Sequence, residues 1–274
     1  MPPSDEFDFS GDSVAAAYDD VLVPVLFRPW AEYLAEQYGP WNGQRVLDLA
    51  TGTGVVAQLL GDRVGVGGNV IAADISPDML SLARKRCSGA SAAITFVESA
   101  AHPLDVASTS VDTVVCQQGF QFFPEPHAAI AEIHRVLRGG GRTIVSCWRD
   151  LDSCQFFGAV CETLCSMGKE GISDLMRLPF AQNGPDLKTQ FENGGFVDVT
   201  LSRQDLPLVF ESIHAAIDTA YSTPIGPKLR ELSDDSQAGF RGALADRLEA
   251  LSDDGRTMGS MASHMLTARK EARP

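Results

Sequence analysis

The sequence predicts an α/β fold, doubly wound around a mostly parallel sheet, with helical cap insertions in its second half. First, short apolar segments of strand character alternate with segments whose apolar residues recur at helical spacing. Second, a loop of small residues follows the first predicted strand and begins a helix. Third, 44% of the 274 residues are hydrophobic and 21% are charged, a composition that predicts a packed core.

The order of the predicted elements explains why the sheet should be parallel. Residues 13–38 look helical, and Pro24 and Pro29 are expected to interrupt the helix. The next elements alternate: strands at 44–49, 69–74, 93–97, 111–116 and 142–147, helices at 55–60, 77–87 and 126–137, and a turn at 138–141. Strands joined by helices imply crossover connections between neighbours that run in the same direction.

The pattern changes after Trp148. Residues 152–193 and 211–252 look helical, whereas 196–201 and 260–270 look like strands. The helical segments are therefore predicted to be insertions that cover the open edge of the sheet and shape a substrate pocket.

We predict one continuous catalytic domain built from three segments. Residues 1–43 are an N-terminal helical lid, and residues 44–150 are the cofactor-binding α/β core. Residues 151–274 complete the sheet and carry the cap insertions. The length of the chain suits one large α/β domain with a cap.

Charge and hydropathy exclude several classes of function. The net charge is −14, from 22 basic and 36 acidic residues, so a nucleic-acid partner is not expected. The apolar stretches are far shorter than the roughly 20 residues of a membrane span. The acidic N-terminus has no apolar run behind a basic segment, which argues against a signal peptide and for a cytoplasmic protein. The sequence does not indicate an oligomeric state.

The six cysteines are expected to be free thiols. Cys154, Cys161 and Cys165 are spaced by seven and four residues, so they could share one helix face. That spacing fits either buried apolar packing or a thiol site for a soft metal or metalloid. Packing is favoured, and no metal is predicted, because no Cys-x-x-Cys pair or nearby histidine supports a site.

The loop after the first strand carries the first candidate ligand site. Small side chains at Ala50, Gly52 and Gly54 would let a ligand lie against bare backbone. The carboxylate of Asp48 can orient an ammonium group at the end of the strand, or it can simply cap the loop. In open α/β sheets the ligand lies outside the carboxyl ends of the strands, where the strand order switches.

The next two strands end in further candidates. Asp74 ends the second strand, where a carboxylate can accept both hydroxyls of a ribose; the alternative is a local turn before Pro77. Ile75 and Met79 could enclose an adenine ring. Glu98 and Ser99 end the third strand and could bind the edge of that ring.

A dinucleotide-binding protein is the main alternative at this stage. Gly52, Gly54 and Ala57 also fit the glycine-rich fingerprint of such proteins, although that pattern alone is weak. An acidic residue just before the loop, Asp48, suits a ligand with an amino group better than a pyrophosphate. A helical segment also precedes the first strand, whereas dinucleotide domains often start with the strand itself.

Five segments carry motifs of a known family: residues 46–54, 70–80, 96–104, 116–124 and 133–142. Together they resemble class I S-adenosylmethionine-dependent methyltransferases, in the type 11 or ubiquinone/menaquinone-methyltransferase-like group. The resemblance covers about residues 44–148 and is specific as a set. Ala50 stands in place of the usual first glycine, and Glu98 stands where aspartate is commoner.

The resemblance implies a seven-stranded sheet with one late antiparallel strand, and S-adenosylmethionine (SAM) as the cofactor, with S-adenosylhomocysteine as its product. It implies that Ala50 and Gly52 face the methionine part. We also predict that Thr53 and Gly54 of the same loop bind the cofactor. Asp74 would bind the ribose. Glu98 and Ser99 would flank the adenine ring, which Ile75 and Met79 could enclose.

The resemblance also implies where the methyl group reacts. Gln117 would lie beside the methionine end, and Tyr18 on the N-terminal helix would close the cofactor site. We predict that Gln117, Gln118 and Phe120 hold the acceptor. The acceptor itself is predicted to be a small apolar or aromatic metabolite that fits nearby aromatic side chains: Phe122, Phe123, Trp148, Phe156 and Phe157.

Methyl transfer by in-line displacement needs mainly positioning, and no histidine–aspartate pair in the sequence suggests a general base. Two other functions stay open. One is a member of the fold that binds SAM or a metabolite without catalysis. The other is an NAD-dependent oxidoreductase. A measurement of which cofactor binds would distinguish it from a methyltransferase.

Overall fold

The computed structural model describes residues 15–16, 18–252 and 254–272. Most of the predicted lid before Tyr18 therefore lies outside the described residues. The chain from Tyr18 onward forms a seven-stranded sheet with helices on both faces, as the sequence predicts.

The strands are β1 (Arg45–Leu49), β2 (Asn69–Asp74), β3 (Ala93–Glu98), β4 (Val111–Gln117), β5 (Leu137–Trp148), β6 (Phe196–Val209) and β7 (Thr257–Lys270). Their order across the sheet is β3-β2-β1-β4-β5-β7-β6. The pairs among β1 to β5 are parallel, and β7 runs antiparallel to both β5 and β6. The late antiparallel strand is thus confirmed.

The helices are α1 (Arg28–Gln37), α2 (Val55–Val64), α3 (Pro77–Arg86), α4 (Pro126–Val136), α5 (Gln155–Ser166), α6 (Glu170–Arg177), α7 (Gly184–Asn193), α8 (Ile213–Tyr221), α9 (Gly226–Arg230) and α10 (Asp234–Leu251). A π-helix, Tyr18–Phe27, precedes α1, and short 3-10 turns occur at Cys87–Gly89, Phe120–Phe122 and Leu178–Phe180. No helix in the described residues is long and apolar enough to cross a bilayer.

The structure differs from the prediction at three places. The expected N-terminal helix is a π-helix that contains Pro24, followed by α1 with Pro29 in its first turn, where proline is tolerated. The turn predicted at 138–141 lies inside β5, as an irregularity in its pairing with β4. The last two strands are longer than predicted because β6 and β7 pair with each other along most of their length.

The two faces of the sheet bury separate apolar layers. Successive side chains of a strand point to opposite faces. Val46 accordingly packs with residues of α1 and α2, while Leu47 packs with residues of α4 and α7. A third apolar cluster joins the cap helices α5, α8 and α10 to β7 and to Trp148. The cap is therefore attached to the sheet at the carboxyl end of β5.

Candidate functional site

One cavity of about 470 Å³ opens at the carboxyl ends of β1, β2 and β4. This volume lies in the range of small-molecule sites. The cavity sits at the point where the strand order reverses, since β1 has β2 on one side and β4 on the other. The predicted residues that line it are Tyr18, Ala50, Gly52, Asp74, Ile75, Met79, Ser99, Gln117 and Gln118.

The loop after β1 turns through three residues of left-handed backbone conformation. The φ angles of Ala50, Gly52 and Gly54 are 59°, 55° and 84°. A Cβ atom on Gly52 would have only the hydroxyl of Tyr18 near it, at 4.0 Å, so the space beside Gly52 belongs to the cavity. A Cβ atom on Gly54 would lie 2.9 Å from Cβ of Ala83. The second glycine therefore lets the loop pack against α3 instead of facing a ligand.

Asp48 and Thr53 lie beneath this loop and do not line the cavity. Asp48 is 1% exposed, and its carboxylate accepts a hydrogen bond of 2.5 Å from the hydroxyl of Thr51. Burial raises the pKa of Asp48 to about 7, against the effect of hydrogen bonds from Thr51 and the backbone of Ala57. The geometry matches the loop-capping interpretation of Asp48 rather than the ammonium-binding one.

This buried carboxyl makes a testable contribution to the pH dependence of stability. An unfolded aspartate releases its proton near pH 3.9, whereas folded Asp48 keeps it until about pH 7. The folded state binds more protons between these values, so this group lowers the free energy of unfolding as pH rises from about 4 to 7. Asp48→Asn should flatten that decline, measured by urea denaturation across this range. An identical pH slope in Asp48→Asn and in the exposed control Asp105→Asn would contradict the assignment.

Asp74 ends β2 and faces the cavity with an ordered carboxylate. Its Oδ2 accepts the backbone N–H of Gly52 at 2.8 Å, and its Oδ1 accepts the backbone N–H of Ser76 at 2.9 Å. The bond from Ser76 closes the local turn before Pro77, which the sequence analysis gave as the alternative to ribose binding by Asp74. Burial raises the pKa of Asp74. A carboxylate offers about four acceptor positions, so these two bonds leave room for hydroxyl donors of a ligand.

The rim beside β2 and β3 is apolar. Ile75 is 70% exposed, and it lines the cavity with buried Met79. Ser99 also lines the cavity, whereas Glu98 is exposed and outside it. Three residues of the loop after β3 that the sequence did not assign to the site line it as well: Ala100, Ala101 and His102.

The end of β4 supplies two glutamines. The Nε2 of Gln117 donates to the carbonyl of Phe27 at 3.1 Å, and the Nε2 of Gln118 donates to Oγ of Ser263 at 2.7 Å. The Oε1 atoms of both glutamines are buried, and neither has a hydrogen-bond partner in the described part of the chain. An unpaired buried acceptor is costly, so both atoms are suited to receive a donor from a ligand.

Phe120 does not reach the cavity, contrary to the expectation from its position in the sequence. It is 2% exposed and packs against Phe123 and Phe191, with ring centroids 5.6 Å apart in each case. The 3-10 turn Phe120–Phe122 directs successive side chains to different sides. As a result Phe122 and Phe123 line the cavity, while Phe120 belongs to the core beneath it.

The N-terminal π-helix covers one side of the cavity through Tyr18. The ring of Tyr18 stacks on Phe27, with centroids 4.8 Å apart. Burial and the nearby carboxylate of Asp74 raise the pKa of Tyr18, so the phenol stays protonated. Arg86 at the end of α3 forms an ion pair with Asp19 and donates through Nε to the carbonyl of Thr53 at 2.9 Å. One guanidinium thus ties the π-helix to the loop after β1.

The far end of the cavity is an apolar chamber built largely by the cap. Its side chains come from the N-terminal helices, the end of β5 and both insertions: Leu22, Leu26, Phe27, Trp148, Phe157, Met176, Pro179, Phe180, Thr223 and Pro224. Sequence reasoning anticipated Trp148 and Phe157, whereas Phe156 lies in the core. The residues from Met176 onward were missed because no local motif marks them.

Charge is nearly absent from the lining. In the described residues the ionisable side chains that line the cavity are those of Tyr18, Asp74, His102 and Glu125, and no lysine or arginine is among them. The cysteines are elsewhere: Cys154 contacts the carbonyl of Ala262, and two further thiols, Cys161 and Cys165, contact Ser173. No group of three or more potential metal ligands occurs in the part of the chain that is described.

The comparisons with known proteins agree with this geometry. Residues 46–141 match a family model described as a methyltransferase domain. Over 138 residues the chain is 37% identical to the ubiquinone/menaquinone biosynthesis C-methyltransferase UbiE of Stenotrophomonas maltophilia. The matched region is 48% of this chain and 54% of that protein. The chain therefore spans about half the length of the curated relatives it matches.

Solved structures share the fold at low sequence identity. Phosphoethanolamine N-methyltransferase 2 of Haemonchus contortus, in complex with S-adenosyl-L-methionine, has a TM-score of 0.64 at 17% identity and covers 99% of this chain and 60% of that one. The YcgJ protein of Bacillus subtilis has a TM-score of 0.56 at 16% identity, and the match covers 89% of this chain and 98% of that protein. The comparisons therefore show a match to a methyltransferase domain over residues 46–141, similarity to UbiE C-methyltransferases over about half of the chain, and a fold shared with solved methyltransferase structures.

Proposed function

We propose that this protein transfers a methyl group from SAM to a small, neutral, apolar or aromatic metabolite. The observation that carries the proposal is one cavity with two differently lined ends. Polar groups and bare backbone lie at the ends of β1, β2 and β4, and an apolar chamber without lysine or arginine lies beyond them in the described lining. Such a lining favours a neutral acceptor over a phosphorylated one, because no lysine or arginine of the described lining is there to pair with phosphate.

The residues at the polar end fit SAM. The carboxylate of Asp74 is oriented by two backbone amides and has acceptor positions left for the ribose hydroxyls. The space beside Gly52 is open, so a ligand can lie against its backbone. The unpartnered Oε1 of Gln117 can accept from the ammonium group of the methionine part. When bound, the cofactor supplies an activated methyl group on its sulfonium.

The role of the chain in this reaction is to bind, orient and exclude water. Gln117 is held by the carbonyl of Phe27, and Gln118 by Ser263, so both amides are fixed at the junction of the two ends. The aromatic chamber removes the acceptor from water and restricts its orientation. Holding two reactants at about 3–3.5 Å can supply much of a rate acceleration without a base.

Catalysis by positioning makes a prediction about single side chains. His102 and Glu125 are the described lining residues that could act as a base apart from Asp74 and Tyr18. His102→Ala and Glu125→Gln should each lower turnover less than about tenfold, whereas losing a general base typically costs about 10²–10⁴-fold. Gln117→Ala should cost on the order of tenfold to a hundredfold, because it releases an orienting amide. His127→Ala, on α4 outside the cavity, is the matched control.

The decisive readout is turnover at saturating SAM, with cofactor affinity measured separately. A loss above about a thousandfold in His102→Ala or Glu125→Gln, at unchanged affinity, would replace positioning with base catalysis.

Two measurements test the proposed function itself. Calorimetry with S-adenosylhomocysteine and with NAD should give binding of the first alone. Product formation from SAM should then appear with mixtures of neutral aromatic acceptors and be absent with their phosphorylated counterparts. Binding of S-adenosylhomocysteine without turnover on any acceptor would favour a non-catalytic binding protein, and binding of NAD would favour an oxidoreductase.

A further inference from the structure

A second cavity, of about 220 Å³, lies beside the middle of β5, at Arg142 and Ile144. Its lining includes Arg142 of β5, Arg269 of β7 and Tyr38 at the end of α1. The first cavity reaches β5 at Trp148, four residues beyond Ile144, which also lines the second cavity. At about 3.3 Å per residue the two cavities are separated by roughly 13 Å along the strand.

The two arginines of this cavity face each other. Arg142 and Arg269 are directly opposite in the antiparallel pairing of β5 and β7, so their side chains leave the same face of the sheet. Like charges in this position destabilise a sheet. Within the described residues neither guanidinium forms an ion pair with a carboxylate, although ten other ion pairs occur there.

Local contacts hold Arg142 without neutralising it. Its guanidinium lies over the ring of Trp41, with 5.2 Å from Cζ to the centroid. Its Nε donates to Oγ1 of Thr113 at 3.3 Å, and one Nη2 proton is directed at the carbonyl of Pro40 at 3.4 Å. Arg269 has one similarly long contact, from Nη1 to the carbonyl of Gly140. Since each guanidinium has five N–H donors, most of them remain available to a ligand.

Burial and the facing charge of Arg269 lower the pKa of Arg142. A guanidinium nevertheless stays charged in proteins. The repulsion between the two guanidinium groups therefore destabilises the folded protein, and an anion bound between them would relieve it.

We propose that this second cavity binds a small oxyanion, the phosphate or carboxylate group of a metabolite, between Arg142 and Arg269. Planar guanidinium groups bind both kinds of oxyanion through paired hydrogen bonds. Asp198, which also lines the cavity, has a φ angle of 51° at an irregularity in the pairing of β6 with β7. Its carboxylate would repel the same anion and weaken its binding.

Calorimetry of the whole protein with inorganic phosphate, at ionic strength held constant with chloride, tests the site. Wild type should bind phosphate saturably, and Arg269→Met should weaken binding about tenfold or more through loss of charge-assisted hydrogen bonds. Asp198→Asn should tighten binding, and asparagine tolerates the left-handed backbone there. Arg203→Met, the same change at an exposed arginine of β6, should leave the affinity unchanged.

Acetate is the second probe, and it distinguishes a carboxylate ligand from a phosphate ligand. Stronger binding of phosphate assigns the site to phosphorylated metabolites, and stronger binding of acetate assigns it to carboxylates. Each result supports the site only if Arg269→Met weakens that binding. An absence of saturable binding of both probes, equal affinity in wild type and Arg269→Met, or weaker binding in Asp198→Asn would overturn the proposal.

Discussion

Gly52→Val is expected to abolish SAM binding while the protein remains folded. The built Cβ of residue 52 meets only the hydroxyl of Tyr18, at 4.0 Å, so a valine side chain would occupy the cavity instead of colliding with the core. Its backbone φ of 55° costs a side-chain-bearing residue about 1–2 kcal/mol. That is less than a typical domain stability of about 5–15 kcal/mol. Calorimetry with S-adenosylhomocysteine and thermal unfolding would measure the two effects separately.

Gly54→Val is the matched comparison two residues along the same loop. A Cβ atom there would lie 2.9 Å from Cβ of Ala83 and 3.0 Å from its Cα, so the substitution pushes the loop away from α3. We expect a large loss of stability in this variant rather than a folded protein with a blocked site. Retained cofactor affinity in folded Gly52→Val would mean that the ligand does not cross this loop.

Asp74→Ala should weaken SAM binding by about 1.5–3 kcal/mol, or roughly 10- to 150-fold, through loss of hydrogen bonds between a charged acceptor and the ribose. The variant also frees the backbone amide of Gly52, which Asp74 Oδ2 accepts at 2.8 Å. Asp74→Asn separates these effects, because one amide oxygen can still accept from that backbone while the charge is gone. Its affinity should fall between those of wild type and Asp74→Ala.

The control for charge alone is Asp105→Ala, an exposed carboxylate that does not line the cavity. Its SAM affinity should equal that of wild type. If Asp74→Ala binds SAM as wild type does, the ribose lies elsewhere and the orientation of the cofactor proposed here is wrong.

The sheet and the polar end of the site could be predicted because their determinants are local. The loop from Ala50 to Gly54 needs small residues at left-handed positions, and Asp74 ends a strand; both constraints are visible in a few consecutive residues. The placement of Asp48 was less predictable. A carboxylate just before such a loop can face a ligand or cap the loop, and only the contact of Asp48 with Thr51 distinguishes these two roles.

The apolar chamber could not be predicted in detail because it is assembled over long sequence distances. Met176, Phe180 and Pro224 reach the cavity from two separate insertions, and no local motif in those segments marks them. Phe120 shows the opposite problem: it sits in a recognisable motif, yet a single 3-10 turn directs it into the core. Secondary structure follows from local pattern, but the direction of one side chain in a turn does not.

The position of β7 has a consequence for the biosynthesis of this protein. β6 ends at Val209 and pairs with β7, which begins at Thr257, so the intervening residues must leave the ribosome before β6 gains its partner. At about 5–20 residues per second this delay lasts several seconds, during which an unpaired strand is open to aggregation. Ser263, the partner of Gln118, is delivered by that same strand. A nascent chain arrested before Thr257 would therefore contain the first six strands, with β6 unpaired, but would lack the contact between Ser263 and Gln118. That contact is the last part of the site to form.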